Sequence, residues 1–166
     1  MALVIRAASP DDHEALVEQF QGLNAHEEQI AKNRRTDRQG AEECLAFAWR
    51  RVQQTKGNAI VAEVDGRVAG HLFLLFTEDA VFVRQELRAH AYVSELFVRD
   101  ENRGAGVATA LMMEAERLAM ARGVGRIMVG IVAGNSPAEA LYGQMGFAPY
   151  VIEFTKELSL AKQSPP

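Results

Sequence analysis

The chain lacks what several classes of protein require. It has one cysteine, Cys44, which excludes an internal disulfide and a cysteine-rich metal site. His26, His71 and His90 lie far apart, without metal-ligand spacing or a paired nucleophile, so no metal site is expected. No apolar run approaches the ~20 residues that span a bilayer. Asp11 and Asp12 come too soon for a signal peptide. Basic charge is also short: 18 Lys and Arg against 22 Asp and Glu leave −4, giving no attractive field for nucleic acid. The expectation is a reduced, cytoplasmic protein with neither membrane nor nucleic acid as partner.

What is present suits one globular domain. A length of 166 residues with 48% hydrophobic content can bury its own core. The domain is expected over residues 1–161, with 162–166 as a frayed tail. Residues 3–7 read as a strand. Ser9-Pro10-Asp11-Asp12 then announces a helix with Ser9 as N-cap, and His13, Leu16, Val17 and Phe20 give it an apolar side. Residues 22–39 show no clear period. They hold His26, Glu27 and Glu28, then Lys32, Arg34, Arg35 and Arg38. A second helix sets Cys44, Leu45, Ala48, Trp49 and Val52 on one face, where Cys44 reads as a buried thiol. Residues 59–63 and 67–76 are strands joined at Asp65-Gly66, a hairpin dipeptide. A polar connection over 77–90 contains an apolar island at Val81, Phe82 and Val83. Residues 126–132 predict a buried strand. Over 148–158, Tyr150, Ile152 and Phe154 alternate with Val151, Glu153 and Thr155, which predicts a closing strand.

One stretch organises the rest. Residues 92–98 are rich in β-branched and aromatic side chains and predict a strand. From Val107 the period changes, and Val107, Ala108, Leu111, Ala115, Leu118 and Ala119 fall on one helical face. Between them lies Asp100-Glu101-Asn102-Arg103-Gly104-Ala105-Gly106. A strand, a glycine-rich turn and a helix opening together cradle phosphate, because the first helical N–H groups lack internal partners and attract anions. The glycines let backbone approach a ligand closely. No Gly-Lys pair precedes Ser or Thr, which excludes the P-loop. Thr109 stands where a dinucleotide fingerprint needs its third small residue.

Arg103-x-x-Gly106-x-Ala108 after an apolar strand resembles the pyrophosphate motif of the GNAT family of N-acetyltransferases. A second motif of that family matches in order: Asn135, Ala138, Tyr142 and the pair Gly146-Phe147. The resemblance is strongest over residues 91–147. It implies an α/β fold of the α+β kind, with a mostly antiparallel, partly parallel sheet flanked by helices. It implies acetyl-CoA as co-substrate, an amine acceptor, direct attack in a ternary complex and no metal; a homodimer stays open. Cofactor contacts carry over to the backbone of Leu96, Phe97 and Val98, where the family's central strand splays, often at a bulge. They carry over also to Arg103, Gly104, Ala105, Gly106, Val107 and Ala108, and to Asn135, Ala138 and Tyr142.

The reaction assigns two catalytic candidates. An alkylammonium with a pKa of roughly 10 must lose a proton before it attacks, and Glu95 is the acid on the central strand. Tyr142 occupies the family's position for protonating the departing thiolate. Ser136, before Pro137, reads as the cap of the tyrosine helix. The first two helices and the connection before the central strand shape the acceptor pocket in this family. Here they offer Glu27, Glu28, Glu78 and Asp79 to a cation, or Arg34, Arg35 and Arg38 to a carboxylate. A small amine, an antibiotic and a protein amino group all remain open. So does a non-catalytic acetyl-CoA sensor, although a sensor needs no acid such as Tyr142.

Overall fold

The computed structural model describes residues 2–158. Strand β1 (Leu3–Ala7) leads through a 3₁₀ turn at Pro10–Asp12 into α1 (His13–Ala31) and α2 (Arg38–Thr55). Three strands follow, β2 (Asn58–Val64), β3 (Arg67–Glu78) and β4 (Ala89–Val98). Helix α3 (Val107–Ala121), strand β5 (Ile127–Val129) and helix α4 (Ser136–Gln144) complete the order. The five strands form one sheet in chain order, antiparallel from β1 to β4 and parallel between β4 and β5. This is the expected mixed α+β sheet.

Local chemistry explains most element ends. The Ser9 N–H donates to Asp12 Oδ2 at 2.7 Å, while Arg6 from β1 donates to both Asp12 oxygens at 2.8 Å. The Arg6 bonds chiefly hold the buried Asp12 carboxyl down to about 2, against the cost of burial. Asp37 caps α2 by accepting the Gly40 N–H at 2.7 Å. The Asp65-Gly66 turn joins β2 to β3, as its sequence predicts.

Helix α1 runs far beyond its readable apolar period, through Gly22 to Ala31. A mid-helix glycine costs roughly 1 kcal/mol relative to alanine. Here it admits a close neighbour: a Cβ on Gly22 would lie 2.8 Å from Cζ of Phe97 on β4. The glycine that obscures the helix in sequence is where the helix meets the sheet.

The sheet separates two apolar cores. Leu16, Val17 and Phe20 of α1, with Leu45 and Ala48 of α2, pack on Val61, Phe73 and Leu75. On the other face Leu111, Met112 and Ala115 of α3, with Tyr142 of α4, pack on Ile60, Leu72, Leu74 and Val93. Cys44 is half-buried beside the first core, near Asn24.

Three expectations need correction. Strand β5 spans three half-buried residues at the sheet edge, not the buried run 126–132. Residues 148–158 form no strand; all are exposed, Phe154 at 95%, and only Tyr150 has a marked contact, its ring 5.4 Å from the Arg126 guanidinium. Alternation describes a two-faced strand but supplies no ladder partner, and none meets this segment. The cap of α4 is Asn135, whose Oδ1 accepts the Ala138 N–H at 3.3 Å, while Ser136 is the first helical residue. Val81 and Phe82 sit exposed between β3 and β4. The tail expected at 162–166 lies outside the described residues. Among the described residues no helix is long and apolar enough to cross a membrane.

Candidate active site

The site begins with a fault in the β3–β4 ladder. Val98 pairs with Gly70, Phe97 with His71, Leu96 with Leu72 and Glu95 with Phe73, and then Val93 pairs with Leu74. Ser94 is the extra residue, a β-bulge. It shifts the alternation of faces along β4. Val93 and Leu96 both join the α3 core, while Glu95 and Phe97, opposite Phe73 and His71, face α1 and α2. The parallel ladder with β5 stops at the pair Val93–Val129. Beyond it, residues 95–98 keep β3 on one edge and have no strand on the other.

A chamber of about 70 Å³ opens at this parting of strands. Glu95, Ser94 and Leu96 line it from β4, Val129 to Ile131 from β5 and its following turn, Asn135, Ala138 and Tyr142 from α4, and Leu23 and Glu27 from α1. Burial pushes the Glu95 carboxyl up to about 7, and the Glu27 charge adds to the rise; Arg51 and Arg34 act against it. Burial likewise pushes the Tyr142 hydroxyl up to about 12, with Tyr92 adding to it. Glu95, Leu96, Asn135, Ala138 and Tyr142 therefore meet in one place, although α4 lies some forty residues beyond β4.

Phe97 does not join them. Its ring touches α1 at Gly22 and lines a separate cleft of about 470 Å³ with Gln19, His26, Arg99 and Arg103. His71, stacked 4.8 Å from Phe20 and bonded through Nδ1 to Gln19 at 2.8 Å, is fully buried. Burial drives its pKa down to about 3, so it is a neutral core residue. Val98 is buried and its carbonyl accepts from Arg103 Nε at 3.2 Å.

The glycine-rich turn occupies the far end of β4. Gly104 and Gly106 have φ of +74° and +80°, in the left-handed region, and a Cβ on either would meet no protein atom within 4 Å. The carbonyl of Gly106 accepts the Ala110 N–H at 3.0 Å. No acceptor among the described residues meets the N–H of Gly104, Ala105, Gly106, Val107, Ala108 or Thr109. Six consecutive free donors, at a helix N-terminus anchored by the buried Val107, fit a diphosphate. Arg103 is turned back from them: it pairs with Asp100 at 2.8 Å and lies 5.8 Å over the Phe97 ring. The residues present thus fit coenzyme A, with the turn for its diphosphate and the open edge of 95–98 for its amide arm.

Sequence reasoning missed Ser94, Leu23 and the Thr109 N–H. Ser94 had one local signal, a lone hydroxyl inside an apolar strand. Leu23 had none, and Glu27, expected among the acids open to a cationic acceptor, gave no sign of standing beside Glu95, since both places depend on α1 continuing past Gly22.

The fold is an α+β sheet whose central strand carries a bulge, parts from its neighbour and feeds a turn of free N–H groups, with a small chamber at the parting. The chain belongs to the acetyltransferase (GNAT) family, whose model matches residues 16–147. That family transfers acetyl groups with acetyl-CoA as co-substrate. No curated protein matches the chain. Among solved structures it is similar to an aminoglycoside acetyltransferase from an uncultured soil metagenomic sample, at 27% identity and a TM-score of 0.68, covering 96% of this chain and 100% of that one. A transcriptional regulator from Bacillus halodurans C-125 shares the fold at 20% identity and a TM-score of 0.73, covering 95% and 100%. So does a ribosomal-protein-alanine N-acetyltransferase from Brucella melitensis biovar Abortus, at 22% identity and 0.65, covering 95% and 100%.

Proposed function

We propose that this chain is an N-acetyltransferase that moves the acetyl group of acetyl-CoA to a primary amine of a small molecule or peptide by direct attack in a ternary complex. The meeting of Glu95 and Tyr142 in one chamber, at the open edge of β4, is the observation that carries this reading. Bound acetyl-CoA supplies an acetyl thioester and a thiolate leaving group. The backbone N–H groups of residues 104–109 hold its diphosphate, and the open edge of Leu96, Phe97 and Val98 receives its amide arm.

Glu95 accepts a proton from the incoming ammonium. A carboxyl poised at about 7 is far closer to the amine than an ordinary glutamate, and near neutral pH it is about half ionised. Tyr142 gives its proton to the departing sulfur. At about 12 it is a weak acid against a thiol of roughly 8.5, but burial raises a thiol in the same chamber too, which narrows the gap. No described residue hydrogen-bonds the Tyr142 hydroxyl, so its proton is uncommitted.

The similar structures named for aminoglycoside and ribosomal-protein acetylation show that one fold serves small and macromolecular acceptors. The test is a screen of amine pools with acetyl-CoA, reading thiol release. Turnover with any amine is the expected result. Silence across a broad screen, with acetyl-CoA binding intact, would replace the enzyme reading with a sensor.

A further inference from the structure

Two carboxylates from separate layers converge on the small chamber. Glu95 enters from β4 and Glu27 from α1, and the rest of the wall mixes the apolar Leu23, Val93, Val129 and Ile131 with Ser94, Asn135 and Tyr142. Like charges in such a place are unfavourable unless one is protonated or a cation lies between them. Of the cations at hand, Arg34 holds Glu27 and neither Arg34 nor Arg51 bonds Glu95. Arg34 Nε donates to Glu27 Oε2 at 2.6 Å, and the Arg34 backbone N–H donates to Glu28 Oε2 at 2.6 Å. Arg51, from α2, lies 5.7 Å from the Phe47 ring. Among the described residues no donor bonds Glu27 Oε1 or the Glu95 carboxyl.

The charged and titratable groups around the pair are few. Helix α1 brings Glu27; the connection after it brings Arg34; α2 brings Arg51; β4 brings Glu95 and Tyr92; α4 brings Tyr142. With Arg34 held on Glu27 Oε2, the acceptor oxygens left without a donor are Glu27 Oε1 and the Glu95 carboxylate. An ammonium brings N–H donors for both.

We propose that Glu27 is the specificity residue for the acceptor, binding the ammonium end of an alkylamine and setting it against Glu95. This deepens the N-acetyltransferase reading and rests on it. Glu27 Oε1 accepts one N–H of the ammonium while Arg34 keeps the carboxylate in place through Oε2. Glu95 then takes a second N–H proton, becoming a neutral acid and leaving a neutral amine to attack; that proton later passes to solvent, and the further proton the nitrogen sheds after attack replaces the one Tyr142 gives to the sulfur. A weakly basic arylamine arrives uncharged and gains nothing from Glu27.

The experiment compares wild type with Glu27→Gln, using n-butylamine and aniline as acceptors. For n-butylamine the substitution should raise KM on the order of tenfold or more, the loss of one charge-assisted contact. The Kd of acetyl-CoA and kcat/KM for aniline should stay within twofold. Removing the Glu27 charge should also move the acidic limb of kcat/KM, and the Glu95 carboxyl titration followed by carbon-13 NMR, to lower pH. That shift reports the coupling of the two carboxylates, while the split between n-butylamine and aniline is the readout that a merely structural glutamate would not move. Arg34→Gln should shift it the opposite way, to higher pH, which keeps the proposal testable if Glu27→Gln folds poorly. An unchanged KM for n-butylamine, equal losses for both amines, or an unmoved Glu95 titration would overturn it. The NMR arm needs no turnover: wild-type silence toward every amine refutes the transferase reading, whereas the titration tests the Glu27–Glu95 coupling alone.

Discussion

Replacing Glu95 by glutamine tests the site through stability before any substrate is known. In the unfolded chain this carboxyl ionises near 4.5; in the fold it is pushed up to about 7, chiefly by burial. Between those values the folded protein holds a proton that the unfolded chain has released. Stability from this group is therefore complete below pH 4.5, falls as pH rises toward 7, and is flat beyond. At about 1.36 kcal/mol per pH unit the loss amounts to about 2–3 kcal/mol, the lower figure allowing for residual exposure of the side chain. Glutamine keeps the shape and cannot ionise. Its stability relative to wild type should rise by that amount between pH 4 and pH 8. For a chain of this length about 1 kcal/mol moves Tm by 2–4 °C, so the two melting curves should be close at pH 4 and separate by roughly 5–10 °C at pH 8. Denaturant titrations at both pH values give the same difference as free energy. Parallel pH profiles for the two proteins would mean that Glu95 is an ordinary solvated carboxylate, and the base assignment would fall with it.

Tyr142→Phe keeps the buried ring and removes an unpartnered hydroxyl, so stability and acetyl-CoA affinity should be unchanged within about 0.5 kcal/mol. Turnover should fall about 10²–10⁴-fold, and less with a donor whose thiol is more acidic; wild-type turnover would refute the acid role. Gly106→Val should cost about 1–2 kcal/mol of stability from its left-handed φ and weaken acetyl-CoA binding tenfold or more by calorimetry. A folded variant with unchanged affinity would move the diphosphate elsewhere. Asp12→Asn breaks the Arg6 bonds that hold that carboxyl near 2. The stabilisation, about 2 kcal/mol, is present above the ordinary carboxylate value and lost as pH falls toward 2. The variant's deficit should thus be full at pH 6 and shrink on acidification, as urea midpoints will show.

Legibility followed the range of the forces involved. The glycine turn before α3 and the existence of the helix bearing Tyr142 read directly, because glycine placement and helical period are local, while the cap of that helix fell one residue earlier than expected and Arg103 turned back toward Asp100. The Asp65-Gly66 hairpin read for the same reason. The place of the bulge at Ser94 did not, since a bulge is a mismatch between two strands and a lone hydroxyl in one of them does not fix where it falls. Helix α1 past Gly22 was hidden because its glycine answers to Phe97, 75 residues away. The meeting of Glu27 with Glu95 was hidden by the same packing. Residues 148–158 misled in the other direction: their alternation is real, yet a strand forms only against a partner edge, which periodicity does not report.

The two cores on either side of the sheet share no buried side chain. Substitutions at distant, unconnected sites add in free energy, so a change at Leu45 and one at Leu111 should combine without interaction. Heritable variation in the α1–α2 wall, where Glu27 stands, is then free to accumulate without disturbing the packing beneath the glycine-rich turn. A fold built this way lets descendants exchange one substrate for another while inheriting the donor site whole.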